Sequence, residues 1–208
     1  MCDMRRVLAT LRDREELKEV MEEGVRYYRT LHSRDTPDGA LYSWQKTFPS
    51  ATCAEIEAKL GELGYTTEWT DQGALRSFSG GEKAFNLGLL SKLVSRYSYL
   101  MSAVRSHPTT GEDVWCNQAS VSHGSYYLHL PSPTVKDPKL APSHTGHADG
   151  RELSQVELDV IREGQWRWSR AHTWQPGDLL VLDNRAVAHG RLGFLPSASR
   201  RVVVAITK

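Results

Sequence analysis

Two apolar runs close this chain, "DLLVLD" at 178–183 and "RRVVVAIT" at 200–207, and no helical periodicity separates them. Elsewhere, too, helical patterns do not alternate with strand patterns, which argues against a doubly wound parallel sheet. The expectation is a β-sandwich or jelly roll buttressed by helices. Between the two runs stands "DNRAVAHGR" (183–191), so His189 follows directly on a strand candidate.

The rest of the chain reads as follows. Residues 4–23 place Val7, Leu8, Leu11, Leu17, Val20 and Met21 along one helical face, ending at Gly24. "VRYYRTL" (25–31) is rich in β-formers and is read as a strand, followed by turn chemistry. Thr52 and Glu55 form a capping box ahead of a helix carrying Ile56, Leu60 and Leu63. Residues 65–77 read as two short strands about a turn, and 103–118 as a hairpin across Pro108–Gly111. An apolar helix is expected over 84–101. From 119 to 150 periodicity is lost, and a loop of that length is usually functional. Ser154 and Glu157 then open a helix to about Ser169.

A chain of 208 residues, 39% hydrophobic and 25% charged, suits one folded domain. Its 26 basic and 25 acidic residues are mixed along the chain. No basic stripe points to a nucleic acid or an anionic membrane, so a small-molecule partner is expected. Cys2, Cys53 and Cys116 are odd in number and far apart, which fits neither a disulfide framework nor a zinc ribbon. No window reaches the roughly 20 apolar residues of a membrane span. The start lacks a hydrophobic signal core. The expected location is the cytoplasm.

"SFSGGEKA" (77–84) imitates an ATPase signature loop, but no G-x-x-x-x-G-K-[ST] phosphate cradle accompanies it. No G-x-S-x-G elbow supports nucleophilic hydrolysis. Metal chemistry has more to work with. His147 and Asp149 have His-x-Asp spacing, and His189 would complete the ligand types of a 2-His-1-carboxylate triad. Arg200 and Arg201 open the last strand. Guanidinium binds carboxylate bidentately, and alternation along a strand turns one of the two inward.

"HPTTGEDVWCNQ" (107–118), "WQPGDLLVLDNRAVAHGR" (174–191) and "SRRVVVAI" (199–206) resemble the TauD/TfdA-type iron(II), 2-oxoglutarate-dependent dioxygenases, in the branch of syringomycin-pathway hydroxylases. "EEGVRYYRTL" (22–31), "SWQKTF" (43–48) and "HADGRELSQVELDVIR" (147–162) add to the resemblance. It implies an α+β chain with a double-stranded β-helix core, a clavaminate synthase-like jelly roll, flanked by helices. It implies Fe(II) and 2-oxoglutarate as cofactors, with succinate and carbon dioxide released as a C–H bond of a small organic substrate is hydroxylated. On this resemblance His189 matches the distal iron-binding histidine. Arg201 is the first choice for the distal carboxylate of 2-oxoglutarate, Arg200 the second, and Asn117 matches a position near the pocket.

Two departures shape the expectations. The family's proximal His-x-Asp/Glu pair lies upstream of the region matching "CDMRRVLATL", so the domain reads as N-terminally incomplete. His147 and Asp149 fall instead where relatives carry a Tyr-Gly-Asp-Gly-like turn, and remain additional ligand candidates. Residues 78–101 read as an insertion within a single domain, 1–208. The alternative to catalysis is a relative that keeps the scaffold and a carboxylate pocket without a complete iron site. Unpaired sheet edges in such a chain would favour a homo-oligomer.

Overall fold

A computed structural model describes residues 1–31, 43–71, 93–128 and 137–190. Strand β1 (Cys2–Asp3) leads directly into helix α1 (Met4–Leu11). The Asp3 carboxylate caps the helix by accepting the Arg5 amide. The single helix expected over 4–23 is broken. A 3₁₀ turn at Glu15–Leu17 and helix α2 (Lys18–Glu23) follow a kink at residues 12–14. Six residues separate Leu11 from Leu17, a spacing that one straight helix cannot keep on one face. Breaking the helix buries both, at 1% and 0% exposure.

The main sheet is antiparallel in the order β3-β4-β2-β7. Strand β2 (Val25–Leu31) lies inside it, between β4 (Leu93–Met101) and β7 (Ser143–His147), with β3 (Thr66–Asp71) on the far side of β4. Val25 faces Met101 on one side and His147 on the other. The apolar helix expected over 84–101 is corrected here. Its described part, 93–101, is a strand, and 84–92 lie outside the described residues. Val94, Tyr97 and Tyr99 are β-formers, and the strand pairs with β3 over 93–98 and with β2 over 95–101. Of the two strands expected within 65–77, the first forms as β3, and 72–77 lie outside the described residues. Among the described residues β3 takes β4 as its partner.

The 103–118 hairpin forms as expected from β5 (Val104–Ser106) and β6 (Asp113–Trp115). The capping boxes at Thr52/Glu55 and Ser154/Glu157 open helix α4 (Cys53–Glu62) and a helix at Gln155–Arg167. A short helix, α3 (Trp44–Thr47), precedes α4. The stretch expected to be loop from 119 to 150 contains a helical turn, α5 (Ser125–Leu128), and β7, whose five residues are all buried. "SHTGH" has no apolar residue to announce a strand. Its polar side chains are buried against partners of their own: Thr145 donates to Ala119 O, His144 faces Glu152 and His147 faces Glu157. The helix at Gln155–Arg167 is α6.

The larger core joins α1 and α6 to the sheet and the β5-β6 hairpin, with Val7, Leu11, Leu17, Trp115, Leu158 and Ile161 at its centre. Each such buried aliphatic side chain contributes about 1.5–3 kcal/mol. A smaller core packs Leu31, Trp44, Ile56 and Leu60 under Trp69. The strand expected at 178–183 is not one. Those residues have no ladder partner among the described residues, and Leu179 and Val181 are 88% and 82% exposed. Strand β8 (Val187–Ala188) comes later and pairs with β1. No described helix is long and apolar enough to cross a membrane.

Candidate metal centre

His189 is exposed and follows β8 directly. Its limb is positioned from two directions. Cys2 and Asp3 pair with Ala188 and Val187, and the Met4 amide donates to Ala186 O at 3.0 Å. Upstream, Asp183 makes a tight turn whose carbonyl accepts the Ala186 and Val187 amides. Its carboxylate accepts the Arg185 amide at 3.0 Å and faces buried His107 at 2.8 Å. The Thr109 and Thr110 amides donate to His107 Nδ1. The ring proton therefore sits on Nε2 and is given to Asp183. The Arg185 amide and the His107 N–H together hold the Asp183 carboxyl below the usual carboxylate range. Two of the sequence segments singled out above, 107–118 and 174–191, are thus tied together by a side-chain hydrogen bond.

His147 is buried on β7. Its Nε2 lies 2.9 Å from Glu157 Oε1, and its Nδ1, which has no hydrogen-bond partner, is 3.6 Å from Glu19. Asp149 turns to Arg151, taking its amide at 2.9 Å and its Nε at 2.6 Å, and this guanidinium holds the Asp149 carboxyl low. Arg151 also pairs with Glu19. His147, Asp149 and His189 do not form a three-ligand group among the described residues. Asn117 staples the hairpin base, donating to Ala103 O and accepting the Ala119 amide. Arg200 and Arg201 lie outside the described residues.

A different trio does converge. Ligand atoms of His123, His144 and Glu152 all lie within 4.8 Å of one another. His144 projects from the polar strand β7 and is 1% exposed, with Nε2 3.1 Å from Glu152 Oε1. His123 precedes α5 and is 5% exposed, with Nε2 3.6 Å from Glu152 Oε2 and no hydrogen-bond partner for that atom. The rings are 4.6 Å apart. Burial pushes the His123 pKa down, so its imidazole is neutral. Gly124 is close-packed on Pro138, where a Cβ would meet the Pro138 carbonyl oxygen at 2.0 Å. That contact holds the Gly124 amide 3.2 Å from His144 Nδ1. Ser125 puts its amide and hydroxyl on His123 Nδ1 at 3.2 and 2.8 Å. Both rings therefore turn Nε2 to one half-exposed carboxylate, which Lys139 also approaches at 3.4 Å.

The family model of taurine catabolism dioxygenase TauD and TfdA matches residues 1–207. The chain belongs to the TauD/TfdA family. Among similar proteins, the dapdiamide synthesis protein DdaC of Enterobacter agglomerans is 29% identical over 97% of this chain and 54% of its own length. A clavaminate synthase-like protein of Arabidopsis thaliana is 25% identical over 90% of this chain and 48% of its own length. Pentalenolactone F synthase of Streptomyces arenae is 42% identical across a 55-residue stretch. The chain spans about half the length of the first two of these relatives.

Sequence reasoning did not find the His123-His144-Glu152 group. Its members share no motif spacing, since His144 lies 21 residues after His123 and eight before Glu152. The one signal was regional: both histidines fall in the aperiodic stretch 119–150.

Proposed function

We propose that this chain serves iron(II)- and 2-oxoglutarate-dependent oxidation of a small organic substrate, on a jelly-roll core of double-stranded β-helix type. The observation that carries this reading is the TauD/TfdA match across residues 1–207. In this reading His189 is an iron ligand, Arg201 or else Arg200 holds the distal carboxylate of 2-oxoglutarate, and Asn117 shapes the pocket edge through the hairpin it staples. The bound iron would supply oxygen activation. The residues of this chain would orient the cosubstrate and exclude water.

A second reading has its own support. The described residues supply no three-ligand group that includes His189, and one histidine alone holds iron poorly. In that reading the chain keeps a carboxylate pocket without turnover. Anaerobic titration with iron(II) and 2-oxoglutarate separates the two. The catalytic reading expects a weak visible charge-transfer band and succinate formation, both lost in His189→Ala. Absence of both in the unaltered chain overturns it. If 2-oxoglutarate still binds, insensitive to His189→Ala but abolished by Arg201→Ala, the non-catalytic reading stands. Light scattering tests the companion proposal that the chain forms a homo-oligomer, which a monodisperse monomer would refute.

A further inference from the structure

We infer that His123, His144 and Glu152 form a second metal site, taking a divalent transition ion such as zinc, separate from the position proposed for iron at His189. Two imidazole nitrogens and a carboxylate oxygen are a donor set that suits zinc and its neighbours rather than magnesium or calcium. The contacts of 3.1 and 3.6 Å from the two Nε2 atoms to Glu152 suit donors sharing one ion at bonds of about 2 Å. The independent sign of a missing partner is His123 Nε2. It is buried, lies 3.6 Å from Glu152, and has no hydrogen-bond partner among the described residues. A buried polar atom left unsatisfied is destabilising, and a bound ion would remove that penalty.

The surrounding contacts say how the ion enters. His123 Nδ1 accepts the Ser125 amide at 3.2 Å and has the Ser125 hydroxyl at 2.8 Å as an acceptor for a proton of its own. Moving the ring proton to Nδ1 gives up the Ser125 amide bond but frees Nε2 as a ligand and leaves the ring oriented by the Ser125 hydroxyl, as ligating histidines usually are by a hydrogen-bonding neighbour. Arg162 already donates to that hydroxyl, leaving its second lone pair for His123. At His144 the same proton shift costs the hydrogen bond from the Gly124 amide. Lys139, 3.4 Å from Glu152, competes with the ion for the carboxylate. The site therefore favours ions with strong imidazole affinity, and three local contacts, the Ser125 and Gly124 amides and Lys139, oppose occupancy.

The test uses the full chain, stripped of metal by chelation, with zinc chloride alone in calorimetry and cobalt(II) as a visible-absorbing substitute. One ion is expected per chain. Binding should weaken at least tenfold in Glu152→Gln and be lost in His123→Ala, while Lys139→Ala tightens it several-fold and His189→Ala leaves it unchanged. The Gly124 amide resonance should shift on zinc addition because it loses its acceptor. Should His123→Ala fail to fold by circular dichroism, the half-exposed Glu152 and Lys139 carry the test. No one-to-one binding, binding unaltered in Glu152→Gln, or a Gly124 resonance that does not move would each overturn the inference. None of these measurements involves 2-oxoglutarate, so their outcome is independent of the catalytic reading.

Discussion

His107 Nε2 donates to Asp183 Oδ2 at 2.8 Å, joining residues 76 positions apart. This bond sets the turn from which β8 and His189 emerge. His107→Ala should speed amide hydrogen exchange at Ala186 and Val187 while leaving the β2-β4 ladder protected. Unchanged exchange at those two amides would show that β1 alone holds the limb. The lowered Asp183 pKa gives the pH sense. A carboxyl that is easier to ionise in the folded state contributes stability above the ordinary carboxylate range. That contribution is lost as pH falls through its lowered value, so limb protection should drop in acid. The same pH trend in Asp183→Asn would assign it to another group.

Helices α1 and α6 approach closely at Gly164. A Cβ there would lie 2.9 Å from Leu11 Cδ2, and Leu11 is 1% exposed with no room to retreat. Alanine should gain about 1 kcal/mol in helix propensity, but overpacking a filled core costs about 1–3 kcal/mol. Gly164→Ala is expected to lower the melting temperature, and a rise would mean that Leu11 repacks freely.

Ser154→Ala removes a cap worth about 1 kcal/mol. It also loosens Glu157, whose other oxygen receives His147. Thr52→Ala removes a comparable cap whose Glu55 carboxylate accepts only from Thr52 among the described residues. The Ser154 variant should therefore melt lower than the Thr52 variant. With about 2–4 °C per kcal/mol in a chain this size, scanning calorimetry resolves the order, and equal losses would remove His147 from the explanation.

Trp115 is fully buried, yet its indole N–H has no partner among the described residues. Trp115→Phe discards an unsatisfied donor along with some packing, and these changes oppose each other. Chemical denaturation should find it within about 1 kcal/mol of the unaltered chain, against about 3–5 kcal/mol lost in Trp115→Ala. A phenylalanine variant as unstable as the alanine variant would show that the indole is anchored.

What could be read from the sequence was mostly local. Both capping boxes stood out because the donor and acceptor are three residues apart. The hairpin at 103–118 stood out because turn chemistry and β-formers adjoin. β7 stayed hidden because its residues are polar and its pairing with β2 is a long-range matter. Residues 93–101 looked helical because an apolar run is ambiguous until its neighbours are known. "DLLVLD" looked like a strand for the same reason, yet finds no ladder among the described residues. The TauD/TfdA family was legible from the segments around His107 and His189. The His123-His144-Glu152 group was not, because only the β2-β7 register and the close packing of Gly124 on Pro138 bring those residues together.

The pairing of Cys2 and Asp3 with Val187 and Ala188 has a practical side. Met1 and Arg170 exchange hydrogen bonds through their main chains as well, so the first residues are woven into the limb that carries His189. The two regions should open and close as one cooperative unit. A disturbance at Cys2 or Asp3 would therefore reach His189 without touching it.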